Sequence, residues 1–257
     1  MAITIQNELE TFLSQFNFNS NFEGLIGIER ERFIIDKKGK FAPQSKNFLE
    51  KIQNNLWTYE LSACQIEDRI TPSPNIGKIK TTLAENDKQG QSVAQQLGLQ
   101  LIFLELAEKD MPLDIYPDPR YMQIAKTIAP KRLEAACRVA ATHIHIGMPN
   151  IERAILVANH LKNYIDYLCQ LGDHSRGERL HLYKVMAQTW NPPYYENVEH
   201  FYKIAKETGF TDNPRDCWHL IRISRHGTVE LRMFGATASI EEICNWIMIV
   251  KRLIAEI

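Results

Sequence analysis

The segment that most constrains this chain is GIERERFIID, residues 27–36. Its β-branched and aromatic residues read as a strand over about 24–36. Four charged residues, Glu29, Arg30, Glu31 and Arg32, nevertheless stand in a row within it. On a strand, residues two apart share a face. Glu29 and Glu31 therefore project together, and their like charges repel unless a cation or a shared proton offsets them. Hard cations such as Mg2+ favour carboxylate oxygens. The plainer reading is a solvated sheet face, with Arg30 and Arg32 alternating on the other side.

Three more segments repeat the pattern. Glu60 and Glu67 lie in YELSACQIEDR, in extended and otherwise apolar surroundings, where a bend between them would turn both toward one site. Thr142-His143-Ile144-His145-Ile146-Gly147 places two imidazoles on one strand face, a metal or phosphate constellation. A lone histidine there would more often be a satisfied core residue. Gly227-Thr228-Val229-Glu230-Leu231-Arg232 puts Glu230 and Arg232 on one face. There a carboxylate can hold metal while a guanidinium neutralises phosphate oxygens, and a same-face salt bridge is the plain alternative. Four strand-like segments with polar pairs at a spacing of two, or nearly so, are what a sheet lining a metal-filled cavity requires.

The rest of the chain supplies helices. Amphipathic or polar helical patterns fall at 5–17 (Ile5, Leu9, Phe12, Leu13, Phe16), 45–54, 76–97, 119–128, 150–171, 178–188, 197–208 and 239–256. Extended segments are expected at 56–70, at 99–106, through CRVAATHIHIGMP at 137–149, and as two strands of CWHLIRISRHGTVELRMFGA joined at His226-Gly227. DKKGK at 36–40 is a turn. Strands and helices do not alternate strictly. That predicts an α+β fold, a largely antiparallel sheet with helices packed on one side. No repeat or linker divides the chain, so residues 1–257 are expected to form one domain.

Thirty basic and 31 acidic residues leave a formal net charge of −1, which argues against a nucleic-acid binder. Five scattered cysteines without a CxxC pair read as reduced thiols of a cytoplasmic protein. The polar start lacks signal-peptide character, and no run of about 18 apolar residues predicts a membrane span.

The ordered set GIERERF, ELSACQIED, PRY, THIHIG and HGTVELR resembles the glutamate–cysteine ligase type 2 family of carboxylate–amine ligases, from about Gly24 to Gly235. That resemblance implies the catalytic fold of glutamine synthetase. It implies that Glu29 and Glu31 bind separate Mg2+ ions, that Glu60, Glu67, His143 and Glu230 are further metal ligands, and that His145 lies near the nucleotide phosphates. It makes Arg232 the residue that stabilises the transferring phosphoryl group, and Pro119-Arg120-Tyr121 a substrate-side loop. Two or three Mg2+ ions, with Mn2+ as an alternative, ATP as co-substrate, glutamate and cysteine as substrates, and a homodimer follow from the same resemblance. An α-carboxylate needs a cation, for which Arg120, Arg176, Arg179, Arg222 and Arg225 are candidates; each has a surface salt bridge as its plain alternative. This chain departs from the family in the seven-residue spacing of Glu60 and Glu67, in Arg30 and Arg32, and in its short length.

Two other function classes fit the residues. A metal-dependent hydrolase would centre on the His143-x-His145 strand, although His219 and His226 repeat no ligand motif. A non-catalytic relative would bind a nucleotide or amino acid without turnover.

Overall fold

The computed structural model describes the backbone of residues 2–257 and the side chains from residue 6 onward, so the Ile5 side chain expected on the first helix lies outside the described residues. In chain order the elements are α1 (Ala2–Leu13), β1 (Ile26–Asp36), α2 (Ser45–Ile52), β2 (Trp57–Tyr59), β3 (Gln65–Arg69), α3 (Ile76–Gln96) and β4 (Leu99–Ile102). Then come α4 (Pro119–Thr127), α5 (Pro130–Arg138), β5 (Ala141–Gly147), α6 (Ile151–Lys162), α7 (Ile165–Leu171), α8 (Glu178–Met186) and α9 (Val198–Thr208). β6 (Ile221–Ser224), β7 (Thr228–Gly235) and α10 (Ile240–Ile254) complete the order.

The strands form one sheet in the order β2-β3-β1-β5-β7-β6, with β4 also paired to β1. All these pairings are antiparallel. The α+β expectation therefore holds. Ile26, Ile28, Ile144, Ile146, Val229 and Leu231 point to the face covered by helices and join the largest apolar core. Burying these side chains is the main stabilising term for a sheet with one dry face, at roughly 25 cal/mol per Å2 of apolar surface. The opposite face of β1, β5 and β7 is open to a cavity.

β2 and β3 form a tight hairpin, Trp57 opposite Asp68 and Thr58 opposite Glu67. The Ser62 carbonyl and hydroxyl accept from the Gln65 and Cys64 amides and close the turn. This is the bend that swings Glu60 back toward Glu67. The β6–β7 hairpin turns at Gly227, whose φ of +70° suits glycine and where any side chain would strike the Asn17 carbonyl.

One irregularity aims the site. Thr142 pairs with Phe234 and Ile144 with Leu231, so His143 alone faces two β7 residues, Arg232 and Met233. This bulge shifts the alternation of β7 by one. Arg232 keeps the cavity face with Glu230, while Phe234 turns to the helix side and stacks on Trp246 of α10 at 4.8 Å.

Several sequence expectations need correction. The strand expected at 137–149 begins only at Ala141, because α5 runs through Arg138. Pro130 sits in the first turn of that helix, and its Ala135-Ala136 pair favours the conformation. The single helix expected at 150–171 is two, α6 and α7. Asn163 and Tyr164 donate to carbonyls three residues back and tighten the turn, which an unbroken apolar stripe conceals. The strand expected at 99–106 stops at Ile102, where the Phe103 ring leaves the ladder to lie over Arg32 at 4.5 Å and Arg30 at 5.3 Å. No described helix is long and apolar enough to cross a membrane.

Candidate active site

The cavity on the open sheet face measures about 640 Å3. The alternation of β1 presents Glu29 and Glu31 to it, and the ladder sets their neighbours. Glu29 lies between Arg69 of β3 and His143 of β5, and Glu31 opposite Glu67. His145 is flanked by Gly27 on one side and Glu230 on the other, and Glu230 is opposite Arg222. Residues from five strands thus meet because each strand carries its polar pair at the two-residue spacing of one face.

The contacts are close. His143 Nδ1 lies 3.3 Å from Glu29 Oε2 and 4.0 Å from Glu230 Oε1, and its Nε2 lies 3.7 Å from Glu31 Oε1. His145 Nε2 is 3.4 Å from Glu29 and 3.9 Å from Glu230, and its Nδ1 meets the Thr228 hydroxyl at 2.9 Å. Glu31 accepts from the Ala141 amide at 2.7 Å. Glu230 accepts from Arg222 at 2.6 Å and also from Arg232, whose Nε donates to the Tyr183 hydroxyl. Arg69 donates to Glu67 at 2.7 Å.

These surroundings divide the acids into two kinds. Glu29 is held well below the usual carboxylate range: burial pushes it up, but His145 and His143 outweigh burial. Burial is likewise overcome at Glu230 by Arg222, His145 and Arg232, which keep it low. Burial, and then the charge of Glu67, pushes Glu31 up to about 8. Burial, and then Glu31, pushes Glu60 up to about 8. Glu67 also rises, by burial and then by Glu29 and Glu60, despite Arg69. Burial and Arg232 lower His143 to about 4, so its imidazole is neutral, as a metal ligand must be. His145 moves the other way: burial lowers it, but Glu230 and Glu29 raise it.

The donor set suits a hard divalent cation. Glu29, His143 and Glu230 bring three ligand atoms within 4.8 Å of one another, and so do Glu31, Glu67 and His143. His145 Nε2 is buried 3.4 Å from Glu29 and makes no hydrogen bond of good geometry among the described residues. Mostly carboxylate oxygens with an imidazole fit Mg2+ or Mn2+. Glu60 lines the same cavity beside these groups.

The rim is basic and aromatic. Arg120 and Tyr121 open α4, whose first amides donate to Asp118; the other oxygen of Asp118 accepts from the Tyr59 hydroxyl at 2.8 Å. Tyr59 stacks on Tyr116 at 4.0 Å, with Tyr121 edge-on to it. Arg120 pairs with Asp216 at 2.8 Å. Arg222 and Arg225 also border the cavity, whereas Arg176 does not. Arg179 reaches the cavity wall but donates to the Ala140, Met233 and Arg232 carbonyls, pinning the two strands at the bulge.

Some cavity residues escape the strand pattern. Arg69 follows Glu67 by two and could have been read by the same spacing. Tyr183, Arg132, Arg215 and Trp218 come from helices or loops whose approach to the sheet leaves no mark in the sequence. The plain reading of a wet sheet fails on the far side of β1. Arg30 and Arg32 are fully buried there, both paired with Asp68 and with Asp87 of α3.

No family model matches the chain. Two curated relatives named glutamate–cysteine ligase align with 91% of it: one from Natronomonas pharaonis at 26% identity over 70% of that relative, one from Haloferax volcanii at 23% over 71%. The solved structure of a bifunctional glutathione synthetase from Pasteurella multocida shares the fold with a TM-score of 0.60 at 10% identity. That match covers 99% of this chain and 40% of the solved one, so this chain spans less than half of that enzyme's length. The likeness carried by the ordered motifs extends across nearly the whole chain, which is similar in sequence to these glutamate–cysteine ligases.

Proposed function

We propose that this chain is an ATP-dependent carboxylate–amine ligase, joining glutamate to cysteine or a similar amine. The observation that carries this reading is the joint presence of Glu29, Glu31, Glu60, Glu67, His143 and Arg232 on one cavity wall, with the buried Glu230 behind it against His143 and Arg232. Glu29, His143 and Glu230 would hold one Mg2+, and Glu31 and Glu67 another, with Glu60 as a further ligand. Bound there, the ions supply charge neutralisation for ATP phosphates that would otherwise be repelled by the glutamates.

The chain's own residues then account for the rest. Arg232 is locked by Glu230 and the Tyr183 hydroxyl, so its charge is already placed when negative charge builds on the transferring γ-phosphoryl group. His145 lies at the same end, and its Nε2, 3.4 Å from Glu29, would turn to a phosphate oxygen. A substrate carboxylate oxygen attacks the γ-phosphorus, ADP leaves, and an acyl phosphate forms. The amine nitrogen attacks the acyl carbon, phosphate leaves, and the amine gives up a proton as the amide forms. Arg120 and Tyr121, which line the cavity, would shield the acyl phosphate from water.

Residues 1–257 act as one catalytic domain on this reading, with small molecules as partners, a homodimer as the assembly and the cytoplasm as the location. ADP release from ATP, Mg2+ and pairs of amino acids tests it. Release that requires both glutamate and an amine supports the ligase. No release with any pair, in protein that binds ATP, removes the reading.

A further inference from the structure

The arginines around the cavity can be sorted by what they already hold. Arg69, Arg120, Arg222 and Arg232 each pair with an acid. Arg179 is buried, and three of its donors are committed to carbonyls. Arg215 and Arg225 are exposed side chains at the mouth. Arg132, in the first turn of α5, differs from all of these. It is half-buried, its Nε donates to the Met186 carbonyl at 2.9 Å, and no acid lies within salt-bridge range among the described residues. The Nε bond fixes the guanidinium plane and leaves the two terminal nitrogens for a ligand. Ile124, Ile128 and Ala136 on the same cavity wall are apolar, and the Thr127 hydroxyl there already donates to the Gln123 carbonyl. A planar, oriented guanidinium in such a place matches a carboxylate with two parallel hydrogen bonds.

We propose that Arg132 determines acid specificity by receiving the substrate carboxylate that is not phosphorylated, so that the site selects an acid carrying a second carboxylate. This rests on the ligase reading for the identity of the reacting group. It replaces Arg120 and Arg222, already paired with Asp216 and Glu230, as the holder of the α-carboxylate.

The test compares glutamate with 4-aminobutanoate, which keeps the distal carboxylate and lacks the other. Binding to the full chain is followed by calorimetry and by fluorescence of Trp218, which borders the cavity. Arg132→Met should weaken glutamate binding roughly 10- to 100-fold, the worth of a charge-assisted pair. It should abolish the preference over 4-aminobutanoate and leave Mg-ATP binding unchanged. Arg132→Lys should restore part of the preference. Arg132→Gln, which keeps a donor for Met186, serves if Arg132→Met does not fold. Wild-type affinity for glutamate in the folded variants, a parallel loss of Mg-ATP binding, or no glutamate binding by the wild type would each overturn the assignment. ADP release separates it from the reading beneath: arginine-dependent glutamate binding without ADP sinks the ligase and keeps Arg132. ADP release with an unchanged KM for glutamate in Arg132→Met does the reverse.

Discussion

The two faces of β1 carry opposite charges in opposite circumstances. On the helix side, Arg30 and Arg32 share Asp68 and Asp87, and Asp68 also accepts from Asn86. Phe103 covers both guanidinium groups, and Trp57 faces that of Arg32. Two cations meet two anions, and the cluster is internally neutral. On the cavity side, Glu29 and Glu31 meet further acids, and the positive groups beside them are shared too thinly to balance all of them. The first arrangement is balanced in charge, whereas the second keeps an excess of acids that a bound cation would offset. Whether a buried charge holds a fold together or serves chemistry thus depends on its partners more than on its burial.

Four substitutions press on this difference, the largest effect first. Asp68→Ala leaves two buried guanidinium groups without their shared partner and should cost about 3–5 kcal/mol of stability. Denaturant unfolding measures it, and a loss under about 1 kcal/mol would mean that the helix-side cluster is not structural. Glu29→Ala should lower ADP release roughly 1000-fold, about 4 kcal/mol of barrier, with the unfolding midpoint nearly unchanged. A large drop in midpoint instead would show that the cavity face also supports the fold.

The third concerns pH. Glu31 has its pKa raised to about 8 in the folded chain, chiefly by burial and then by Glu67, against an ordinary value of 4.5. The folded state therefore holds this proton more tightly than the unfolded chain does. Stability is fully present below about pH 4.5 and is lost as pH rises through about 8. In EDTA the share of this loss due to Glu31 should be about 3 kcal/mol near neutral pH, and Glu31→Gln should make the fall shallower, with Glu60 and Glu67 carrying the rest. A pH-independent midpoint for the wild type would contradict the crowding of acids. The smallest effect is on the helix side. Phe103→Leu removes a ring from above two cations and should cost about 1–2 kcal/mol, with activity per folded molecule intact.

The cavity side was far more legible in the sequence than the helix side. Glu29 with Glu31, His143 with His145, and Glu230 with Arg232 are each two apart, so the strand period alone assigns every pair to one face. Their mutual closeness needed only an antiparallel sheet. Arg30 and Arg32 obey the same period, but Asp87 comes from α3 and Phe103 from beyond β4, and no local pattern joins them. Arg132 was hidden for a related reason. It lies in α5, a helix short enough that the following strand masks it, and its importance comes from lacking an acid that its neighbours have.

The bulge in β7 carries a further consequence for how such a site can vary. Arg232 aims into the cavity and Phe234 into the helix layer only because two residues stand opposite His143. If β7 paired without the bulge, simple alternation would put Phe234 on the cavity face with Arg232 and leave Trp246 facing a void. The bulge itself is therefore under a double lock. Point substitutions can retune the charges on either face, but a change that abolished the irregularity at Arg232–Met233 would disturb the cavity and the hydrophobic core in a single event.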